Sequence, residues 1–371
     1  MNPLSFILAV LFFGFLTSEA QTLKLLGRAV LPHKMPVGKT LLGGLSGISY
    51  DPTSKALWAV SDDSSYAGGA PRIYQISLQL GDTLQPQIVR ALILLDETGQ
   101  PFSVADCEGI ACTGRDSVWV SSEGRAGAKG APPWIKLFSL KTGRVIRTLP
   151  LPAVYLPTDE TGKSVPVGSS AQTRGILSNR AMESCSLSPD HLTLYTANES
   201  SLLQEKAPGE NSEGGASVFN PTQVRISALD AKTGRCLAQK LYISDMGCFF
   251  GSISDVSPLD KQGNLLVLER RIIRTTLGTG CTGIRLYRVN LAEESAADLR
   301  DIPNVRTQPA TSLTKTLVYD SRKEGIDDLD NIEGVALMPL PGGRTGVVMV
   351  SDDNFGDDQQ TQILLYELTF H

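Results

Sequence analysis

The sequence predicts an all-β protein, a β-propeller of five four-stranded blades. A unit of two short apolar strands bracketed by acidic residues occurs five times, and its copies are spaced by about 62 to 78 residues. Two further strands follow nearly every copy. Each unit is too small to bury its own apolar face, so neighbouring units must pack against one another. A closed ring of blades satisfies this requirement for all five units.

The clearest copy of the unit covers residues 330–354. An acidic segment opens a short apolar strand, residues 332–338, and a Pro/Gly turn follows. A second apolar strand, residues 346–350, then ends on Asp352 and Asp353. Four copies with the same pattern precede this one. We align the residues that open the first strand of each copy as follows: Ser46, Glu108, Glu183, Asp255 and Glu333.

The fifth unit has too few residues after it for a complete blade. After Asp353 only residues 362–370 are left to form a strand, whereas residues 23–31 form a strand that belongs to no unit. Pairing of these two terminal strands completes the last blade and closes the ring. Six blades are the alternative, with a degenerate blade at residues 152–180 or 292–315.

The N-terminus has the features of a signal peptide. Residues 4–16 are an apolar run of the right length, and Ser18-Glu19-Ala20 places small residues at −3 and −1 of a cleavage site. We predict a signal peptide at residues 1–20, a single domain at residues 21–371, and a secreted or periplasmic protein that contacts no membrane after cleavage. A membrane anchor is the alternative, although the run is shorter than the roughly 20 residues of a span.

Charge and histidine content exclude several classes of function. The net charge is −5 and the chain has no Lys/Arg run, so nothing indicates a nucleic-acid partner. The three histidines, His33, His191 and His371, lie away from the repeated acidic positions. This argues against a Ser-His-Asp hydrolase, a His-nucleophile phosphatase and a His-rich metal site. A small-molecule ligand remains the expected partner.

Propeller geometry predicts that the repeated acids gather in one place. The loop that enters the first strand of a blade and the loop that leaves the second strand open on the same face. The acids at these positions should therefore surround one mouth of the central tunnel, together with most of the long insertions. The openers that carry a carboxylate are Glu108, Glu183, Asp255 and Glu333, and the closers are Asp62, Asp63, Glu123, Glu199, Glu269, Asp352 and Asp353.

So many carboxylates repel one another unless arginines or a divalent cation neutralise them. Oxygen ligands without His or Cys suit Ca²⁺ or Mg²⁺, and we predict Ca²⁺. Arginine can also hold a phosphate through two hydrogen bonds. The alternative for each acid is a structural turn or cap that joins neighbouring blades. The predicted metal ligands are Asp62, Glu123, Glu199, Glu269, Asp352 and Asp353.

Several of these motifs resemble the phytase-like family, described as having esterase-like activity of phytase. They include Asp106-Cys107-Glu108-Gly109, Leu268-Glu269-Arg270 and Asp330-Asn331-Ile332-Glu333-Gly334. The resemblance spans nearly all of the mature chain and implies an exported propeller with metal-dependent phosphoesterase activity. Two copies depart from the family pattern, since Met182 stands where a glycine usually precedes the glutamate and Ser254-Asp255 replaces Glu-Gly.

The residues and the resemblance together predict a hydrolase for a small phosphorylated or ester substrate. The alternatives are a non-catalytic propeller that binds a ligand or partner at the same mouth, and a propeller lactonase or other ester hydrolase. The predicted catalytic residues are Glu108, Glu183, Glu333, Arg174 and Arg270, and the predicted substrate-binding residues are Arg180, Arg271, Lys136 and Asn354.

A disulfide between Cys248 and Cys281 is also predicted. Cys248 precedes the first strand of the fourth blade and Cys281 ends the loop after its second strand, so both lie on the same face. A bridge that closes a loop of about 30 residues stabilises a protein by roughly 3 to 4 kcal/mol in the chain-entropy picture.

Overall fold

The computed structural model describes residues 21–63, 69–127, 130–207, 221–245, 250–275, 278–326 and 328–370, with residues 250 and 272–282 described by their backbone alone. Five four-stranded antiparallel sheets are arranged in a ring, so the chain is a five-bladed β-propeller. The predicted fold class is confirmed. In the part of the chain that the structure describes, no helix has the length and hydrophobicity needed to cross a membrane.

The strands follow the chain from blade to blade. The first three are β1 (Gln21–Val30), β2 (Pro36–Val37) and β3 (Thr40–Leu41). Blade 1 contains β4 (Leu45–Asp51), β5 (Ala56–Ser61), β6 (Arg72–Leu80) and β7 (Leu84–Ile93). Blade 2 contains β8 (Cys107–Arg115), β9 (Ser117–Ser122), β10 (Trp134–Ser139) and β11 (Val145–Leu149). Blade 3 contains β12 (Ser186–Leu187), β13 (Thr193–Ala197), β14 (Gln223–Asp230) and β15 (Cys236–Ile243).

The last two blades complete the ring. Blade 4 contains β16 (Phe250–Pro258), β17 (Asn264–Thr275), β18 (Gly278–Asn290) and β19 (Thr316–Asp320). Blade 5 contains β20 (Asn331–Pro339), β21 (Thr345–Asp352), β22 (Gln362–Phe370) and the N-terminal β1.

The two ends of the chain close the propeller. β1 pairs antiparallel with β22 from Gln21 opposite Phe370 to Val30 opposite Gln362. This confirms the predicted closure of the last blade by the N-terminal strand. The alternative of six blades is wrong, because residues 292–315 contain no strand and residues 152–180 contain only one 3₁₀ turn and isolated bridges.

Apolar side chains on both faces of the blades hold the ring together. Leu57 of blade 1 belongs to one buried cluster with Val348 of blade 5, and Leu268 of blade 4 shares another with Met349 of blade 5. A blade buried on both faces needs apolar residues at successive positions, which is why β5 and β21 read as nearly continuous hydrophobic runs. The interfaces between blades therefore form the core.

The disulfide prediction lies outside the described residues. Cys248 is not described, and Cys281 is described only by its backbone. Among the described side chains, Cys107, Cys112, Cys185 and Cys236 are free thiols, and the first three are buried. The pairing of Cys248 with Cys281 stays a prediction.

Glycines allow the innermost strands to approach one another around the axis. A Cβ atom on Gly109 would lie 2.2 Å from the backbone nitrogen of Cys185, and one on Gly47 would lie 2.3 Å from the carbonyl oxygen of Glu108. Such contacts need a residue without a side chain. The glycine that follows the opener in these two blades thus has a packing role, and it brings the openers of adjacent blades together.

We expect Gly109→Ala to destabilise the fold by about 1 to 3 kcal/mol, because its methyl group overlaps backbone rather than a movable side chain. Gly81→Ala is the matched control, since no atom lies within 4 Å of a Cβ at Gly81. Urea unfolding of both variants measures the difference. Equal midpoints for the two variants would contradict the close approach of the strands.

Candidate functional site

In each blade, the start of the first strand pairs with the end of the second strand, and this pairing has the same register in all five blades. Pairing brings Leu45 opposite Ser61 and Cys107 opposite Ser122, and the equivalent pairs occur in the other blades. The opener follows the first member of each pair and the closer follows the second. We call these ten positions the acidic mouth, and they are Ser46, Glu108, Glu183, Ser254 and Glu333 as openers and Asp62, Glu123, Glu199, Arg270 and Asp352 as closers.

β-Bulges place the openers. The register shifts between Leu45 and Gly47 in blade 1, and between Ile332 and Gly334 in blade 5, so Ser46 and Glu333 are extra residues that do not pair. A bulge re-aims the extra side chain away from the regular ladder. Seven of the ten mouth positions carry a carboxylate, which confirms that the acids gather on one face.

Blade 4 departs from the predicted alignment at its opener. The register shifts between Ile253 and Asp255, so the opener is Ser254. The Asp255 carboxylate accepts hydrogen bonds from the backbone N–H groups of Val256 and Val335, both at 2.8 Å. Asp255 also lines a cavity of about 280 Å³ that lies further along the inner strands. The placement of Asp255 at the mouth was wrong.

The closer of blade 4 is likewise displaced by one residue. Glu269 pairs with Ile253, so the residue that faces the mouth is Arg270. Glu269 points to the other side of the strand, where it accepts hydrogen bonds from Tyr242 Oη at 2.5 Å and Lys315 Nζ at 2.8 Å. Glu269 is therefore part of a separate buried cluster between blades 3 and 4.

Two further acids serve the scaffold. Asp353 Oδ1 accepts the backbone N–H of Gly44 at 2.9 Å and that of Phe355 at 3.1 Å, and its other oxygen accepts Thr361 Oγ1. Asp63 forms a buried ion pair with Arg72 at 2.7 Å. Both residues lie one position beyond the closers, so the alternation of the strand turns them away from the mouth.

Two groups of carboxylates are close enough to share a cation. Asp106, Glu108 and Glu123 each offer an oxygen within 4.8 Å of the others, and so do Glu123, Glu183 and Glu199. The side chains of Glu108 and Glu183 accept no hydrogen bond from the described residues, although these residues are only 8% and 6% exposed. Two buried, unpartnered carboxylates thus face the mouth.

Arginines neutralise one side of the mouth. The Arg270 guanidinium donates to Glu199 Oε1 at 3.0 Å and to Asn331 Oδ1 at 2.7 Å, and it also pairs with Glu333. Arg180 pairs with the second oxygen of Glu199. The group of Asp106, Glu108 and Glu123 has less compensation. Among the described residues, Arg125 Nε lies 3.5 Å from Asp106 Oδ2, and the backbone N–H of Ala181 donates to Glu123.

Burial and mutual repulsion raise the pKa values of the mouth carboxyls. Burial raises the pKa of Glu108 well above its ordinary value, and Glu183, Asp106, Glu123 and Asp62 raise it further. The pKa of Glu183 is raised by burial first and then mainly by Glu199 and Glu123. The ionised forms are therefore costly without an added positive charge. The donor set is all oxygen, and it fits a hard divalent cation.

The other predicted residues lie elsewhere. Arg174 is exposed on the loop of residues 152–180, and Lys136 of blade 2 pairs with Glu97 beside the rings of Phe102 and Trp134. Asn354 is exposed, and its backbone N–H donates to Asp352 at 2.7 Å. Arg271 follows Arg270 in β17, so its side chain leaves the other side of the sheet.

Sequence reasoning missed a second row of mouth residues. Asp106, Ser252 and Asn331 each lie two positions before an opener, and two of them contact the mouth side chains directly. Ser252 Oγ donates to Glu199 at 3.2 Å, and the Asn331 amide donates to Glu333 at 2.9 Å. The sequence could have identified these residues, because side chains two positions apart in a strand point to the same face of the sheet.

The sequence matches the family described as phytase-like, esterase-like activity of phytase, over residues 40–355. The chain belongs to the phytase-like family. The match includes all the openers and closers of the acidic mouth, so this phytase-like propeller carries its site within the shared region. Among curated proteins, none matches the sequence.

Solved structures resemble the phytase-like chain only in overall arrangement. Hydrazine synthase of Kuenenia stuttgartiensis is 11% identical with a TM-score of 0.33, and the likeness covers 89% of this chain and 63% of that one. Arabinanase Arb43A of Bacillus subtilis is 10% identical with a TM-score of 0.41, covering 92% and 97%. A protein of unknown function from Dyadobacter fermentans is 10% identical with a TM-score of 0.41, covering 94% and 99%. These likenesses carry no argument about activity.

Proposed function

We propose that the protein is an exported, metal-dependent phosphoesterase that acts on a small phosphorylated substrate at the acidic mouth. One observation carries the proposal: the mouth combines a group of three carboxylates with an adjoining pair of arginines. Asp106, Glu108 and Glu123 offer oxygens within 4.8 Å of one another, and Arg180 and Arg270 meet at Glu199. A phosphate ester needs both kinds of partner, a cation for its oxygens and donors that fix its orientation.

Asp106, Glu108 and Glu123 would hold the cation, for which Ca²⁺ is our candidate. When bound, a divalent cation polarises phosphoryl oxygens and lowers the pKa of water. The unpartnered Glu108 is the strongest ligand candidate, since it has no structural hydrogen bond to give up. The Glu123 carboxylate is held in place by the backbone N–H of Ala181 at 2.5 Å. The chain thus supplies one free ligand and one oriented ligand.

Glu183 is the candidate general base. Its carboxylate is buried, accepts no hydrogen bond from the described residues, and belongs to a group with Glu123. Burial and neighbouring acids raise its pKa, which brings a carboxyl closer to the range in which it can accept a proton at neutral pH. Glu183 would accept a proton from the attacking water, while Arg180 and Arg270 hold the phosphate oxygens.

A substrate panel tests the proposal. Phosphomonoesters, carboxylic esters and lactones are assayed with calcium, with magnesium and with chelator. We expect turnover of phosphomonoesters that chelator removes and calcium restores. Hydrolysis of lactones or carboxylic esters alone would overturn the phosphoesterase. Saturable ligand binding without any turnover would instead show a non-catalytic binding propeller.

A further inference from the structure

Blade 4 breaks the pattern of the acidic mouth at both of its positions. In the other four blades the closer is a carboxylate, namely Asp62, Glu123, Glu199 and Asp352, whereas the closer of blade 4 is Arg270. The opener of blade 4 is Ser254, whose buried hydroxyl has no hydrogen-bond partner among the described residues. The ring therefore has one sector in which a fixed positive charge takes the place of an acid.

Arg270 reaches acids of both neighbouring blades. Its guanidinium donates to Glu199 of blade 3 at 3.0 Å, and it pairs with Glu333 of blade 5. Ser252 Oγ and Arg180 also contact Glu199, so both oxygens of this carboxylate are engaged. A cation that used Glu199 Oε1 would have to displace Arg270, and one that used Oε2 would have to displace Arg180.

Glu183 lies beside this pair and has no such partner. Its carboxylate is 6% exposed, accepts no hydrogen bond in the described part of the chain, and offers an oxygen within 4.8 Å of Glu199. Interaction with Glu199, Glu123 and Glu333 raises the pKa of Glu183, whereas Arg270 lowers it. The guanidinium thus contacts Glu199 of blade 3 and Glu333 of blade 5, and the unpartnered Glu183 carboxylate lies within 4.8 Å of Glu199.

We propose that Arg270 is a built-in counter-ion that replaces a second divalent cation. Its removal would open a site for a hard cation among Glu183, Glu199 and Glu333, beside the site at Asp106, Glu108 and Glu123. The counter-ion role of Arg270 does not depend on the proposed function. Only the site at Asp106, Glu108 and Glu123 rests on it. Carboxylate oxygens suit calcium, and the small side chain of a serine at position 270 would leave the space of the guanidinium to the ion.

Equilibrium dialysis of the full chain against radioactive calcium tests the inference. We expect one calcium per chain for the wild type and two for Arg270→Ser. Arg270→Lys keeps the charge and should stay at one. Arg270→Ser combined with Glu199→Gln should return to one, because the new site loses a ligand. Arg174→Ser is the matched control, since it removes the same charge from an exposed position outside the ring, and it should bind one.

The outcomes separate the inference from the proposed function. One calcium in both the wild type and Arg270→Ser would overturn the counter-ion role and leave the first site intact. No calcium in the wild type and one in Arg270→Ser would support the counter-ion role and overturn the first site. If Arg270→Ser unfolds in chelator, its thermal unfolding is followed as calcium is added. Refolding by calcium that is lost when Glu199→Gln is added supports the inference, whereas refolding that Glu199→Gln leaves unchanged, or no refolding, overturns it.

Discussion

Glu108→Gln should lower calcium-dependent hydrolysis of a phosphomonoester by about 100-fold or more. The glutamine keeps the shape of the side chain but removes the charge of a carboxylate in the first group that accepts no hydrogen bond from the described residues. A divalent cation contributes several kcal/mol to stabilisation of a phosphoryl transition state, and about 1.4 kcal/mol corresponds to a factor of ten in rate. Steady-state kinetics at saturating calcium measure the effect.

The same substitution should have the opposite effect on stability in chelator. Without a cation, the Glu108 carboxylate is repelled by Glu183, Asp106 and Glu123, so its removal should raise the melting temperature. Glu160→Gln, at an exposed position on the loop after blade 2, is the control and should change neither activity nor stability. Full activity of Glu108→Gln with unchanged calcium affinity would refute the assignment of the first site.

In chelator, the protein should lose stability as the pH rises above about 4, the ordinary pKa of a carboxyl. Seven carboxyls of the mouth region have pKa values above their ordinary values, with burial as the first cause in each: Asp62, Asp106, Glu108, Glu123, Glu183, Glu333 and Asp352. The folded state therefore binds more protons than the unfolded state above the unfolded pKa. Stability is highest when these groups are protonated, and it falls as the pH passes from the unfolded to the folded pKa.

The size of this loss follows from linkage. One pH unit between the folded and unfolded pKa of a single carboxyl corresponds to about 1.4 kcal/mol of stability. Several such groups should together lower the melting temperature by roughly 5 °C or more across this range. Calcium at ~100 times its dissociation constant should add about 2.7 kcal/mol and offset the decline at neutral pH.

Melting curves at pH 5, 6, 7 and 8 with calcium, magnesium and chelator measure this dependence. Glu183→Gln should reduce the slope in chelator, because it removes one of the titrating groups. Glu333→Gln should reduce this slope as well, because Glu333 is another of the carboxyls whose pKa is raised. A melting temperature that rises with pH in chelator would contradict the prediction that ionised carboxylates of the mouth destabilise the fold. Superimposable curves in all three solutions would mean that arginine pairing alone neutralises the mouth.

Most of the fold could be predicted from particular repeats. The five copies predicted five blades, and the structure then excluded a sixth, because residues 152–180 and 292–315 form no further blade. The strand at the N-terminus had no partner in its own unit, and its pairing with β22 confirms that the termini meet. Both inferences depend on the apolar pattern of the strands, which the sequence displays directly.

The gathering of acids at one mouth was also available from the sequence, since the direction of a strand decides the face on which its ends emerge. Only the tertiary structure decided which acids point inward. In blade 4, Ile253 pairs with Glu269, so Ser254 and Arg270 are the mouth residues, each one position away from the predicted Asp255 and Glu269. Side chains alternate between the two faces of a strand, so a shift of one residue exchanges an inward position for an outward one. The sequence alignment could not decide this, because it depends on which residues of β16 and β17 pair across the sheet.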